Sequence, residues 1–250
     1  METCMIARDS LRSVVLPVFN EAACIAAVLE ELRGALAAAG GRYEVILVDD
    51  GSTDGTRALL EAFCRQHPGE ARLYALSANS GQSAAFWAGI QAARGEVIVL
   101  MDADGQNDPA DIARCVGALD GADICCGYRR QRRDTWSKRA GSRLANRLRR
   151  AVLRDGIIDT GCSLKAFRAG VLKPLQYWDG MHRFLPVLAS LQGARIVQVP
   201  VGHRSRLAGE SKYTNLGRLL RTVRDLFGVR WLMRRTRRFT VVPVKGGDAA

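Results

Sequence analysis

The chain has 250 residues, 48% of them hydrophobic, and 37 Lys and Arg against 25 Asp and Glu leave a formal net charge of +12. That length suits one large α/β domain or two small ones with ample core; no apolar run nears the ~18 residues that span a bilayer, and the N-terminal METCMIARDS has no apolar stretch of signal-peptide length. The basic balance points to a polyanionic partner, whether nucleic acid, anionic lipid or phosphorylated substrate, and seven cysteines without a CxxC read as reduced thiols of a cytosolic protein, mostly buried filler.

Residues 13–18, SVVLPV, form an apolar strand, and Ile25, Val28, Leu29, Leu32 and Leu36 then recur at helical spacing up to Gly40-Gly41. A second strand, Tyr43 to Val48, runs into Asp49-Asp50-Gly51-Ser52-Thr53-Asp54-Gly55, and a third fits Ala71 to Leu76. Asn79-Ser80-Gly81 opens a helix through Ala93. The fourth strand starts at Val97 and ends abruptly in Asp102-Ala103-Asp104-Gly105-Gln106, before a helix from Pro109 to about Leu119. A fifth strand, Asp123 to Tyr128, precedes a basic stretch, Arg129 to Arg154, with one apolar helical face. Asp159 to Arg168 reads as a turn and a strand, Phe184 to Leu191 as a helix, and Ala194 to Val201 as a strand. HRSRLAGESKY then leads to a long helix, Asn215 to Arg235, and an aperiodic tail. Strands alternating with helices imply a doubly wound, mostly parallel sheet.

Ligands bind such sheets at the carboxyl ends of the strands. Three loops meet there, around Pro17 to Glu21, Asp49 to Asp54 and Asp102 to Gln106, and each is acidic. An isolated Asp-x-Asp is equally a capped turn before a helix. Three acidic loops in a basic protein suggest instead a metal and a polar ligand, because carboxylates alone would repel phosphates. Neither GxGxxG nor GxxxxGK[ST] is present, which disfavours dinucleotide-dependent dehydrogenases and P-loop enzymes.

VVLPVFNE, ILVDDGSTDGT, NSGQSAAFWAGIQAARGEVIVLMDADGQNDP, DTGCSLKAFR and HRSRLAGESKY stand in an order that resembles the inverting family-2 glycosyltransferases of the GT-A fold, over about residues 12–235. Within that family the chain looks most like the polyprenyl-phosphate glycosyltransferases, including dolichol-phosphate mannose synthases. The resemblance implies a GT-A fold, Rossmann-like with C-terminal amphipathic helices, and transfer of a sugar from a GDP- or UDP-linked donor to a polyprenyl phosphate with inversion. Pro17, Asn20, Glu21 and Asp50 would hold the base and ribose, with Asp102 also contributing. Asp102, Asp104 and Gln106 would hold Mg²⁺ or Mn²⁺ against the diphosphate.

A phosphate acceptor is already anionic near neutrality and needs cations, not a general base. By resemblance these are Arg129, Arg139, Ser142, Ser211 and Lys212, and the late loop offers Arg206 beside them; Asp104, Arg129 and Lys212 would act on the reacting groups. Arg130, Lys138, Arg143 and Arg204 add charge nearby, and His203 in the HRSR loop is a further candidate near the diphosphate. WLMRRTRR sets Trp231, Leu232 and Met233 beside four arginines, a pattern of helices lying on anionic lipid. Family relatives often continue into membrane-spanning helices, so attachment here would rest on the surface helix or a membrane partner protein.

The expected organisation is a catalytic domain, 1–212, and a basic amphipathic helix and tail, 213–250, peripheral on the cytoplasmic face of the membrane. A family-2 transferase acting on a sugar or glycolipid hydroxyl is one alternative. A non-enzymatic nucleic-acid-binding protein is the other, which the acidic edge opposes; no nucleic acid is expected as a partner.

Overall fold

The computed structural model describes residues 10–130, 147, 149–205 and 215–237, without the side chains of 215–221. The strands are β1 (Leu11–Val18), β2 (Arg42–Asp49), β3 (Ala71–Ala75), β4 (Val97–Leu100), β5 (Ile124–Arg129), β6 (Lys165–Arg168) and β7 (Ile196–Val201). The helices are α1 (Ile25–Ala39), α2 (Thr56–Gln66), α3 (Gln82–Ala92), α4 (Asp111–Gly117), α5 (residues 149–153), α6 (Ala169–Leu172), α7 (Leu185–Leu191) and α8 (Asn215–Arg235).

Central strands read as unbroken apolar runs because helices cover both faces. Successive side chains then point to opposite layers. Val14, Leu16, Val45, Leu47, Val97 and Val99 pack with α1, α2 and α4. Val15, Ile46, Val48, Ile98 and Leu100 pack with α3, α7 and α8. Helix α1 buries the five residues that its periodicity singles out, and Gly40, at φ 67°, closes it.

One seven-stranded sheet results, in the order β3-β2-β1-β4-β6-β5-β7. Neighbours β1–β2, β2–β3, β1–β4 and β5–β7 are parallel, while β6 runs antiparallel to β4 and β5. The chain walks outward from β1 to β3 and returns to the other side of β1 as β4, which sets the topological switch point between β1 and β4. Every strand except β6 therefore ends at the same edge, and β6 starts there.

The opposite edge is pinned by a buried carboxylate. Glu44, 2% exposed, accepts from Ser13 Oγ at 2.6 Å, Arg94 N at 2.7 Å, Arg72 Nη2 at 2.7 Å and Arg94 Nε at 3.1 Å. Burial pushes this carboxyl up, but the donors from Ser13, Arg94 and Arg72 and the Arg72 charge outweigh it and hold the group below its ordinary range.

Helix α8 carries both buried and exposed apolar residues in its described part. Leu226 and Val229 are buried in the cluster that holds Ile98 and Phe184, while Phe227 and Trp231 are 60% and 62% exposed. Through Leu226 and Val229, α8 packs against one helical layer of the sheet. Five of the six described cysteines are buried and all six are free thiols. Burial pushes Cys126 up to about 12 and Cys162 up to about 11, which keeps them protonated and unreactive.

Candidate active site

The first two loops at the switch-point edge are laced together. Asn20 adopts φ 52°, uncommon outside glycine, because its side-chain oxygen takes the Thr53 N–H at 2.7 Å while its own N–H donates to Ser52 Oγ at 2.9 Å. Glu21 N–H donates to Thr56 Oγ1 at 2.9 Å. Asp54 accepts from Thr56 N and Ala22 N at 2.9 and 3.3 Å, the turn role its position predicts. Asp49 is fully buried and ion-paired to Arg57 at 2.7 Å.

Asp50 is 3% exposed and orders the next loop. Its oxygens take Ser80 N at 2.7 Å, Gly81 N at 2.9 Å and Asn79 Nδ2 at 3.1 Å. Burial raises its pKa, with the neighbouring Asp49 charge adding, against the opposing hydrogen bonds from Ser80 and Gly81. Gly51 allows this contact, since a Cβ there would lie 2.6 Å from Ala78 C and Asn79 N, and its φ is +72°. Of the residues expected around base and ribose, Pro17, Asn20 and Glu21 are half-buried at the rim, whereas Asp50 is committed to the Asn79–Gly81 turn.

The acidic turn after β4 is braced from both sides. Gln82, at the start of α3, donates its amide to Asp102 Oδ1 at 2.7 Å. Ser163, just before β6, accepts from Asp102 N at 3.3 Å and from Asn107 Nδ2 at 2.8 Å. Asp104 is 7% exposed, and its Oδ1 accepts the Gln106 N–H at 3.1 Å. Asp102, Asp104 and Gln106 thus share one tight turn of hard oxygen donors. Among the described residues no three His, Cys, Asp or Glu side chains gather closely enough to hold a metal alone. That donor set fits Mg²⁺ or Mn²⁺, which commonly take one or two carboxylates and complete their shell with substrate phosphates and water. Ser163→Ala removes the brace on Asp102 and Asn107, and a five- to tenfold fall in the rate of the transfer that the resemblance implies, roughly one hydrogen bond's worth, is expected in steady-state kinetics without a change in melting temperature above a few degrees.

Arg129 ends β5 at this edge, as expected, but it is engaged. Its Nε and Nη2 donate to Asp159 Oδ2 and Oδ1 at 2.7 and 2.9 Å, a bidentate pair that fixes the guanidinium plane. Arg204, expected among the cations of the late loop, is ion-paired to Glu31 and, at 2.8 Å, to Asp108. Its backbone N–H reaches Gln106 O at 2.9 Å and His203 bridges Asn107, so this loop is stitched to the acidic turn. Lys138, Arg139, Ser142, Arg143, Arg206, Ser211 and Lys212 lie outside the described residues. His67 makes a tilted ring contact with Phe63, and His182 sits 2.6 Å from Ser83 Oγ. Gln82, Ser163 and Asp159 have roles here that no sequence argument assigned, although all three lie inside the motifs quoted above.

The pattern of glycosyl transferase family 2 matches residues 13–175. An undecaprenyl-phosphate 4-deoxy-4-formamido-L-arabinose transferase from Edwardsiella ictaluri is 38% identical over 217 residues, 86% of this chain and 66% of that protein. A dodecaprenyl-phosphate galacturonate synthase from Rhizobium johnstonii is 37% identical over 227 residues, 89% of this chain and 67% of that protein. The chain therefore spans about two thirds of the length of these relatives. Among solved structures, glucosyl-3-phosphoglycerate synthase from Mycobacterium tuberculosis in complex with Mn²⁺, UDP-glucose and phosphoglyceric acid has a TM-score of 0.70 at 21% identity, covering 92% of this chain and 81% of that one. A mannosyltransferase from Pyrobaculum calidifontis in complex with GDP-mannose and Mn²⁺ has a TM-score of 0.64 at 21% identity, covering 91% and 65%. These neighbours share the GT-A fold. The matched pattern over most of the chain, the two relatives and the fold lead to one statement: this chain belongs to glycosyl transferase family 2.

Proposed function

We propose that this protein transfers a sugar from a GDP- or UDP-linked donor to a polyprenyl phosphate, with inversion at C1. The observation that carries the reading is the convergence, at one sheet edge, of the braced Asp102–Asp104 turn, the Asn20 and Glu21 rim and Arg129. Relatives named for undecaprenyl- and dodecaprenyl-phosphate acceptors support the choice of acceptor. Bound at Asp102, Asp104 and Gln106, a Mg²⁺ or Mn²⁺ ion would supply the charge that neutralises the departing nucleoside diphosphate.

Residues of the chain do the rest. Asn20 and Glu21, with Pro17, flank the place for base and ribose, and Asp50 keeps the neighbouring turn in position from below. The acceptor's phosphate oxygen attacks C1 as the bond from C1 to the diphosphate oxygen breaks, so one displacement inverts the centre. The nucleophile is ionised near neutrality, which removes the need for a base. Arg129 is oriented by Asp159 to receive phosphate on its outer N–H groups; Arg139, Ser142, Arg206, Ser211 and Lys212 are proposed to join it. Transfer of radiolabelled sugar from a panel of UDP- and GDP-sugars to undecaprenyl phosphate, with Mn²⁺ present, tests the reading. Transfer to a glycan hydroxyl but not to the lipid phosphate would replace it.

The same reading places the protein peripherally on the cytoplasmic face of a membrane. No described helix is long and apolar enough to cross one. Phe227 and Trp231 stand one turn apart on the outer face of α8, with Leu232 37% exposed and Arg224, Arg234 and Arg235 around them. Aromatics that insert and arginines that meet lipid phosphates suit an anionic surface. Phe227→Ser with Trp231→Ser is expected to weaken cosedimentation with phosphatidylglycerol-containing vesicles about tenfold or more, from the lost burial of two aromatics, while binding of nucleoside diphosphate stays at the wild-type level.

A further inference from the structure

A polar cavity of about 280 Å³ lies beside the acidic turn, between the first turn of α3, the segment Asp179–Arg183 and Asp225 of α8. Gln82 is the common wall: it lines the cavity and donates its amide to Asp102 at 2.7 Å. The chamber therefore begins one side chain from the proposed metal-diphosphate clamp.

Its walls are fixed by contacts between segments far apart in sequence. Ser83, 1% exposed, accepts the Gly180 N–H at 3.0 Å and lies 2.6 Å from His182 Nδ1, which ties the 179–183 segment to α3. Arg183 Nη1 reaches Thr222 Oγ1 of α8 at 3.5 Å. Gly180 has φ +95°, and a Cβ there would sit 2.7 Å from Asp225 Oδ2. Only glycine lets the α8 carboxylate come this close, so Asp225 is built into the chamber.

Size and chemistry narrow the occupant. The volume lies at the lower end of the ~300–1,000 Å³ range of ligand pockets, a size that suits a single ring. No Leu, Ile, Val, Met or Phe side chain lines it, which disfavours a lipid tail. Asp179 and Asp225 against the single guanidinium of Arg183 oppose a phosphate. Carboxylates that accept from vicinal hydroxyls, with a guanidinium and amides that donate to their oxygens, suit a sugar. We infer that this chamber receives the glycosyl group of the nucleotide-sugar, and that Asp225 and Arg183 discriminate among sugars by their hydroxyls and substituents. The inference rests on the donor class proposed above and makes α8 a wall of the donor site as well as a surface helix.

The test is calorimetric titration, in Mn²⁺, of the wild type, Asp225→Asn and Arg183→Gln with UDP, GDP, UDP-glucose, UDP-galactose, UDP-glucuronic acid and GDP-mannose. Both variants should bind the nucleoside diphosphates as the wild type does. The ratio of nucleotide-sugar to nucleoside-diphosphate affinity should change about tenfold or more for at least one sugar, the effect of one charge-assisted hydrogen bond. Melting temperatures control for folding, and Asp225→Asn is isosteric. An unchanged ratio in both variants, with diphosphate binding intact, overturns the inference and leaves the proposed function standing. So does loss of turnover in Asp225→Asn at unaltered affinities, which would mark Asp225 as a general base. A wild type that binds none of these nucleotides overturns the donor class itself, and the inference with it.

Discussion

Asp104→Asn is expected to lower sugar transfer by roughly 10²–10³-fold, the scale of losing an electrostatic group aimed at charge that develops in the transition state. The substitution is nearly isosteric, and the Asn oxygen can still accept the Gln106 N–H that Asp104 Oδ1 takes at 3.1 Å. The turn should therefore persist, and the melting temperature should move little. What is lost is one of two negative charges on a turn whose neighbour, Asp102, already gives one oxygen to Gln82. Acceptor binding should be spared, because Arg129, proposed for it, is oriented by Asp159 and not by Asp104. Kinetics with donor and acceptor varied separately would show the fall in kcat against a modest change in acceptor KM.

Glu44→Gln is expected to do the reverse, unsettling the fold while leaving the chemistry per folded molecule alone. Glu44 lies at the amino ends of the strands, away from the switch-point edge, and its carboxylate gathers Ser13, Arg72 and Arg94. Removing the charge leaves two guanidinium groups beside a buried amide. Breaking such a cluster costs 3–5 kcal/mol when it is fully buried; Arg94, with its side chain 61% exposed, can turn to water, so about 3 kcal/mol is expected here. For a chain of this size that lowers Tm by roughly 6–12 °C. Because the folded-state pKa of Glu44 is depressed, its stabilisation is present above the unfolded value near ~4.3 and is lost as pH falls through the folded one. The gap in stability between wild type and variant should thus close in acid, which denaturant melts at neutral pH and below about pH 4 would show.

Local periodicity made most elements legible. Spacing of apolar residues located α1 and placed α8 at its observed bounds, Asn215–Arg235, and the buried runs located β1, β2 and β4. The antiparallel course of β6 was not legible, because KAFR pairs with VIVL only through the global topology. Polar residues at strand ends could be placed at the edge by topology alone, which brought Asn20, Asp102, Asp104 and Arg129 together. Partners could not be read the same way. Asp50 is read in sequence as a ligand-binding carboxylate, and nothing local reveals that its oxygens also take N–H groups of the turn 30 residues on. The pairing of Arg129 with Asp159 and of Arg204 with Glu31 and Asp108 carries no local sequence signal either. The chamber walled by Asp225 was invisible for the same reason: its parts come from three separate segments, and none carries a local signal.

Asp102, Asp104 and Gln106 are proposed to hold a divalent cation against the donor's diphosphate. The most direct measurement of this is calorimetric titration of UDP and GDP into wild type and Asp104→Asn, each with and without Mn²⁺. The predicted result is binding of one of the two diphosphates that requires the metal and is lost in Asp104→Asn, whose melting temperature stays close to that of the wild type. Equal affinity with and without Mn²⁺, or wild-type affinity in Asp104→Asn, would contradict it.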